Sequence, residues 1–169
     1  MQPETAPPGR RTLIVLASIV GVLALLAAGG LAAYLSGVFD EQKRFGAVPA
    51  VCPTLVPGLH LLGTGYGTAA GTGSTCNVTL PGTGTPMMTV SYSVGASPDA
   101  VSAQLRDRAA ATFHEVDGLG DEGFSNGRLT VFRVGNLLVG IAVLADIGST
   151  TDAQIKVFEN DLATRLADA

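Results

Sequence analysis

The sequence is poor in the residues that most often carry chemistry. It has two cysteines, two histidines and no tryptophan in 169 residues. There is no Cys-x-x-Cys pair for the histidines to complete, so a structural zinc site is not expected. His60 and His114 are the candidate imidazole bases for a catalytic site, and His114 is followed by Glu115, but neighbouring residues of a strand point to opposite faces. We therefore expect a protein that is not an enzyme, with no catalytic residue, cofactor or metal.

Basic residues are also scarce beyond residue 46. Residues 47–169 contain six Lys or Arg and eleven Asp or Glu. Binding to the phosphate backbone of nucleic acids depends on clustered Lys and Arg, and an acidic region without a basic stripe does not provide them. The sequence therefore predicts no nucleic-acid partner and no docking on anionic lipid.

A long uncharged segment lies near the N-terminus. Residues 12–39 are 28 consecutive residues without charge, and about 20 apolar residues span the ~30 Å core of a bilayer. Because the apolar region of a signal peptide is only about 7 to 15 residues long, we favour an uncleaved anchor. Cleavage near Ala28 and Gly30, and a buried soluble helix, stay open as alternatives. The first cysteine lies well past this segment, which disfavours lipid attachment.

The charges that flank this segment leave its orientation nearly even. Arg10 and Arg11 favour a cytoplasmic N-terminus, but Lys43 and Arg44 lie close to the other end. The cysteines decide the prediction, because both follow the anchor and an even pair in an exported chain usually forms a disulfide. The alternative is two free thiols in a cytosolic domain.

These points predict a cell-membrane protein that spans the bilayer once. Its expected parts are a cytoplasmic tail at residues 1–11, a transmembrane anchor at residues 12–39, a linker at residues 40–51 and an extracytoplasmic domain at residues 52–169, with a disulfide between Cys52 and Cys76.

Helix and strand patterns alternate in the outer region. In residues 86–95, Thr and Ser alternate with Met, Val and Tyr at the period of a half-buried strand. Ser97 and Pro98 suit the N-cap and first position of a helix that should end near Ala111. The C-terminal segment carries an apolar stripe at helical spacing, formed by Ile155, Phe158, Leu162 and Leu166.

The clearest strand pattern is a hairpin. The apolar runs Leu129–Val134 and Leu137–Ala145 are separated only by Gly135 and Asn136, which are typical of a tight turn. The second run is apolar throughout, which predicts a central strand. Together with strands at residues 75–80, 86–95 and 112–116, this order predicts an α+β domain whose antiparallel sheet is covered by helices on one face.

Two glycine-rich segments are interpreted as loops. Residues 63–76 lack the Gly-Lys-Ser/Thr ending of a phosphate loop, and we predict a flexible loop there. Residues 117–123, "DGLGDEG", should break regular structure. Their acids Asp117, Asp121 and Glu122 lack the spacing of an EF-hand loop, so a solvated turn is favoured over a calcium site.

Four segments of the outer region carry a resemblance: "CPTLVPGL", "CNVTL", "GLGDEGF" and "LTVFRVGNLLVGIAV". Together, over residues 50–167, they resemble a family of small actinobacterial exported proteins of unknown function, many of them lipoproteins. This chain differs in having neither a lipobox cysteine nor a Trp soon after Cys76. The resemblance implies an outer location and a fold rather than a chemistry.

We therefore expect an outer domain that senses or binds a small ligand or an envelope partner. The alternative is an envelope scaffold that acts through the outer domain and through the anchor, where small residues at Ala17, Gly21, Gly29 and Ala33 could pack in a dimer. A ligand binder should have a concave apolar pocket, whereas a scaffold should expose an apolar patch.

The full-length protein should sediment with membranes and stay there after high-salt or carbonate washing, because the 28-residue uncharged segment is long enough to insert in the bilayer. Immunoblotting of pellet and supernatant measures this. Recovery of most of the protein as a soluble species that starts near residue 31 would instead show cleavage.

Overall fold

The structure, a computed structural model, describes residues 44–109, 112–144 and 150–169. The predicted tail at residues 1–11 and the predicted anchor at residues 12–39 lie outside this range. Within the described ranges, no helix is both long enough and apolar enough to cross a membrane.

Seven strands form a single antiparallel sheet in the order β1-β2-β3-β7-β6-β5-β4. The prediction of an α+β domain with an antiparallel sheet is therefore confirmed. The strands are β1 (Gly67–Ala70), β2 (Thr75–Thr79), β3 (Pro86–Val94), β4 (His114–Glu115), β5 (Glu122–Ser125), β6 (Leu129–Val134) and β7 (Leu137–Val143).

The predicted hairpin is the centre of this sheet. Val134 pairs with Leu137 across a two-residue turn, and β7 lies between β6 and β3, as its apolar sequence predicts. Gly135 has a φ of +57°, while Asn136 keeps a negative φ. A positive φ at the first turn residue alone is the pattern of a type II′ turn, whose twist matches that of the paired strands.

Within the described ranges there are also three α-helices and one 3₁₀ helix: α1 (Val51–Leu55), a 3₁₀ helix (Val56–Leu61), α2 (Pro98–Arg108) and α3 (Asp152–Ala167). The Ser97 side chain caps α2 by accepting from the Ala100 N–H at 3.2 Å, as its position predicts. Thr151 and Gln154 form a reciprocal capping box at the start of α3.

The helices cover both faces of the sheet, so the prediction of helices on one face is wrong. On one face, α1, the 3₁₀ helix and α3 bury the main core around Phe132 and Val139. On the other face, Val101 and Leu105 of α2 pack on Val131 and Leu138 in a second cluster. The physical reason is that β6 and β7 carry large apolar side chains on both faces, so each face needs its own cover.

The sheet is also larger than the sequence patterns predict. Strand β1 lies inside the segment predicted to be a flexible loop, and it pairs with β2 from Gly67 opposite Thr79 to Ala70 opposite Cys76. Strand β5 starts inside the predicted "DGLGDEG" break. Both strands are short and rich in small residues, so their pairing depends on a neighbouring strand rather than on an apolar period of their own.

The disulfide between Cys52 and Cys76 is present, as predicted. It joins α1 to β2 with the two Cα atoms 5.3 Å apart and closes a sequence separation of 24 residues. Cys76 is fully buried in the main core. The bond therefore fixes the N-terminal end of the domain to the sheet.

The end of the predicted linker is tied to the domain as well. The Asn136 side chain, fully buried in the hairpin turn, accepts from the Phe45 N–H and donates to the Phe45 carbonyl, both at 2.8 Å. It also donates to the Gly95 carbonyl at 3.1 Å. One turn residue thus connects the start of the described chain, the end of β3 and the central hairpin.

Replacing either Cys52 or Cys76 with Ser should lower the free energy of unfolding by about 2 to 5 kcal/mol, because the unfolded chain regains the entropy that the bond removes. Denaturant titration under oxidising and reducing conditions measures the change, with Ser93→Ala, at an exposed position of β3, as a control variant that leaves the bond intact. Two reactive thiols per chain in unreduced, denatured protein would refute the bond and the main argument for an outer location.

Candidate functional site

A groove of about 460 Å³ lies between helix α3 and the β4 edge of the sheet. Its apolar lining residues are Val116, Leu119 and Ile155, and the two buried ones, Leu119 and Ile155, are called its floor. The polar and charged residues that line it are His114, Glu115, Asp117, Ser125, Asn126, Thr130, Asp152, Lys156, Glu159 and Asn160.

Strand register brings the sheet side of this groove together. His114 is paired with Ser125, and Ser125 is paired with Thr130. Residues directly opposite in an antiparallel pair share one face, so these three side chains lie on the face that α3 covers. On α3, Ile155 and Glu159 are four positions apart and therefore lie on the same side of the helix.

Glu159 lines the groove and is only 6% exposed. The Thr130 hydroxyl donates a hydrogen bond to its carboxylate. Ser125 Oγ lies 3.0 Å from Thr130 Oγ1, and the Gly127 N–H donates to Ser125 Oγ at 3.1 Å. Either hydroxyl of the Ser125–Thr130 pair can be the donor. Ser125 and Thr130 thus place two hydroxyl groups beside the carboxyl of Glu159.

The environment of Glu159 changes its acidity. Burial raises the pKa of the Glu159 carboxyl above its ordinary value, while the Thr130 hydrogen bond and the Lys156 ammonium act in the opposite direction. A carboxyl group that is buried in a cavity with a raised pKa is typical of a functional site, because its charge costs free energy that a bound partner can recover.

Acidic residues predominate in the groove lining. Asp117 and Asp152 line the groove together with Glu159, and its basic lining residues are Lys156 and His114. Charges of one sign in a concave, low-dielectric wall add to one another and concentrate counter-ions. The groove therefore favours positively charged or hydrogen-bond-donating partners.

The histidines considered as catalytic bases lie apart. His114 is exposed in β4 at the groove, and Glu115 pairs with Phe124 on the opposite face. His60 is exposed at the 3₁₀ helix, where its Nδ1 lies 2.8 Å from the Pro57 carbonyl. The register of β4 therefore places the carboxylate of Glu115 away from the His114 ring, as adjacent strand residues should be.

The three acids considered for calcium do not form one site. Asp117 lies at the groove, whereas Asp121 accepts from the Gly135 N–H at 2.6 Å and pairs with Arg133 at 3.3 Å. Glu122 accepts from the Ser102 hydroxyl at 2.5 Å and from Arg106 Nε at 2.7 Å. Across residues 44–109, 112–144 and 150–169, no group of three or more His, Cys, Asp or Glu side chains could hold a metal ion.

Glu122 acts instead as a structural link. Burial tends to raise the pKa of its carboxyl, but hydrogen bonds from Ser102 and Arg106 and the charges of Arg106 and Arg133 outweigh burial and lower that pKa. The predicted solvated turn thus joins α2 to the sheet. Gly120 makes this possible: it has a φ of +64°, and a Cβ there would lie 2.4 Å from the Arg133 carbonyl oxygen.

Sequence reasoning did not find Glu159, although a signal was present. The apolar stripe of α3 runs through Ile155, Phe158 and Leu162, and Glu159 follows Phe158 within it. An acidic residue four positions after Ile155 falls on the buried side of the helix. Thr130 gave no such signal, because a Thr in an alternating strand pattern is ordinary.

No protein-family model matches the chain, and a search of curated proteins finds no significant match. The resemblance of the four segments to actinobacterial exported proteins therefore stays a prediction.

Glu159→Gln should raise the stability of the protein at pH 7 by on the order of 1 kcal/mol, because the amide removes a buried charge and still accepts from Thr130. The pKa of Glu159 is higher in the folded than in the unfolded protein. The wild type therefore loses stability as pH rises from the pKa of the unfolded state to the pKa of the folded state. The advantage of Glu159→Gln should therefore be smallest below pH 4.5 and grow toward pH 7.

Thermal unfolding at a series of pH values measures this difference. Asp107→Asn, which removes an exposed carboxylate from α2, is the matched control and should show no such trend. A stability difference for Glu159→Gln that does not change with pH would contradict the assignment of a buried, ionising carboxyl.

Proposed function

We propose that this chain is a single-pass membrane protein whose C-terminal domain lies outside the cytoplasm and binds a small ligand in the groove between α3 and β4. It acts by binding, without catalysis. The ligand occupies the apolar floor and contacts the carboxylate of Glu159.

Two observations support the location. The uncharged segment at residues 12–39 is long enough to serve as an anchor. The Cys52–Cys76 disulfide fits an oxidising compartment, since such bonds are rare in the cytosol. Both observations agree with a domain that is carried on the outer side of the membrane.

The groove is the observation that carries the binding function. A concave site with an apolar floor and a few converging polar groups is the usual form of a small-molecule site, and 460 Å³ lies within the range of about 300 to 1,000 Å³ found for such pockets. The buried carboxyl of Glu159 and the hydroxyl groups of Ser125 and Thr130 supply the polar groups that orient a ligand.

A scaffold would instead expose an apolar patch. In the part of the chain that the structure describes, the exposed large apolar side chains belong to different segments: Val48, Val56, Leu129, Leu144 and Val157. Single exposed apolar residues are ordinary on protein surfaces. The groove is the observation that favours a ligand-binding domain over a scaffold.

Asn160→Trp should abolish ligand binding while leaving the fold intact, because Asn160 is an exposed residue of α3 that lines the groove. The full-length protein is purified from native membranes in mild detergent, and small molecules released on denaturation are identified by mass spectrometry. A compound should be enriched with the wild type and lost with Asn160→Trp.

Val157→Trp is the control, since Val157 is exposed on the same helix and does not line the groove. This variant should retain the compound. Equal recovery from all three proteins, or no enriched compound from the wild type, would contradict ligand binding in the groove.

A further inference from the structure

The lining of the groove restricts the chemistry of a ligand, on the condition that the proposed binding function holds. The groove is lined by the apolar residues Leu119 and Ile155 and by the carboxylate of Glu159. A fitting ligand must therefore combine an apolar part with a group that satisfies a carboxylate.

The hydrogen-bond donors that the protein offers to Glu159 indicate which kind of group a ligand must add. Thr130 provides one hydrogen bond to the Glu159 carboxylate, but a carboxylate has two oxygens and about four acceptor positions. Ser125 and Thr130 approach from the sheet. Because Glu159 itself lines the groove, the remaining acceptor positions of its carboxylate can be used by a donor that is bound there.

The surrounding charges decide between a neutral, an anionic and a cationic donor. Asp117 and Asp152 add negative charge at the rim, and a ligand carboxylate or phosphate would be repelled by them. A neutral donor would leave the buried charge of Glu159 compensated only in part, by Lys156. A cation forms charge-assisted hydrogen bonds, which are about twice as strong as neutral ones.

We propose that the groove binds a small ligand that carries a primary amine or guanidinium next to a short apolar segment, with the cationic group on the Glu159 carboxylate and the apolar segment on Leu119 and Ile155. The basic residue Lys156 lies at the exposed rim of the same helix. Its ammonium partly compensates the charge of Glu159 in the free protein, and the ligand cation takes over this role on binding.

The test uses three probes of nearly the same shape: benzylamine, benzyl alcohol and benzoate. Each is titrated into the full-length, isotopically labelled protein in neutral detergent, and the backbone amide shifts of Gly127 and Glu159 are followed by NMR. Benzylamine should give saturable shifts with a dissociation constant on the order of 1 mM, as expected of so small a probe. Benzyl alcohol and benzoate should bind at least ten times more weakly.

Glu159→Gln should weaken benzylamine binding at least tenfold while the amide spectrum shows an intact fold. Asp107→Asn is the matched control, because it removes the same charge from an exposed site on α2, and it should leave the affinity unchanged. An equal loss of benzylamine affinity in both variants would show that the effect comes from the net charge of the protein, and would overturn the proposal.

Two further outcomes would overturn it. Benzyl alcohol or benzoate binding as tightly as benzylamine would show that charge does not select the ligand. If none of the probes shifts the groove amides while wild-type protein still retains a compound that Asn160→Trp loses, the binding function stands and the cationic class is refuted. If no probe shifts the groove amides and the wild-type protein also retains no compound, the binding function itself is refuted.

Discussion

The pairing of β6 with β7 is the interaction on which the rest of the domain depends. β7 is hydrogen-bonded on both sides, and the sheet extends from this hairpin to β3 in one direction and to β5 in the other. Its turn also collects distant parts of the chain, because the buried Asn136 holds Phe45 and Gly95, and Asp121 accepts from the Gly135 N–H. Buried polar groups of this kind are stable only when each finds its partners.

Because the central strands carry large apolar side chains on both faces, each face of the sheet needs a covering helix. α2 covers one face through Val101 and Leu105, and its position is fixed by Glu122, which binds both Ser102 and Arg106. On the other face, α3 packs on the main core together with α1, which the disulfide fixes to β2. The groove arises beside α3, where the sheet ends in the short strand β4.

In the groove, an acidic residue occupies a position that the apolar stripe of α3 would assign to an apolar side chain. An acidic side chain on the buried side of α3 costs free energy, and the raised pKa of Glu159 reports that cost. Elsewhere the domain pairs its buried charges closely, as Arg133 does with Asp121. Such a departure from an otherwise consistent pattern is characteristic of functional positions, since a stability cost there is retained for another purpose.

The sequence by itself determined the elements with a strong local pattern. The hairpin at Gly135 and Asn136, the capped start of α2 at Ser97 and the apolar stripe of α3 are set by residues within a few positions of one another. The cysteine pair was also predictable from count and context. By contrast, β1 and β5 have almost no pattern of their own and exist because a neighbouring strand offers hydrogen bonds. Only the tertiary structure decided that α2 covers the second face, and that Thr130 and Glu159 meet across 29 positions of sequence. The reason is physical: a side chain's periodicity reports which face is buried, but which partner covers that face depends on contacts between segments far apart in the chain.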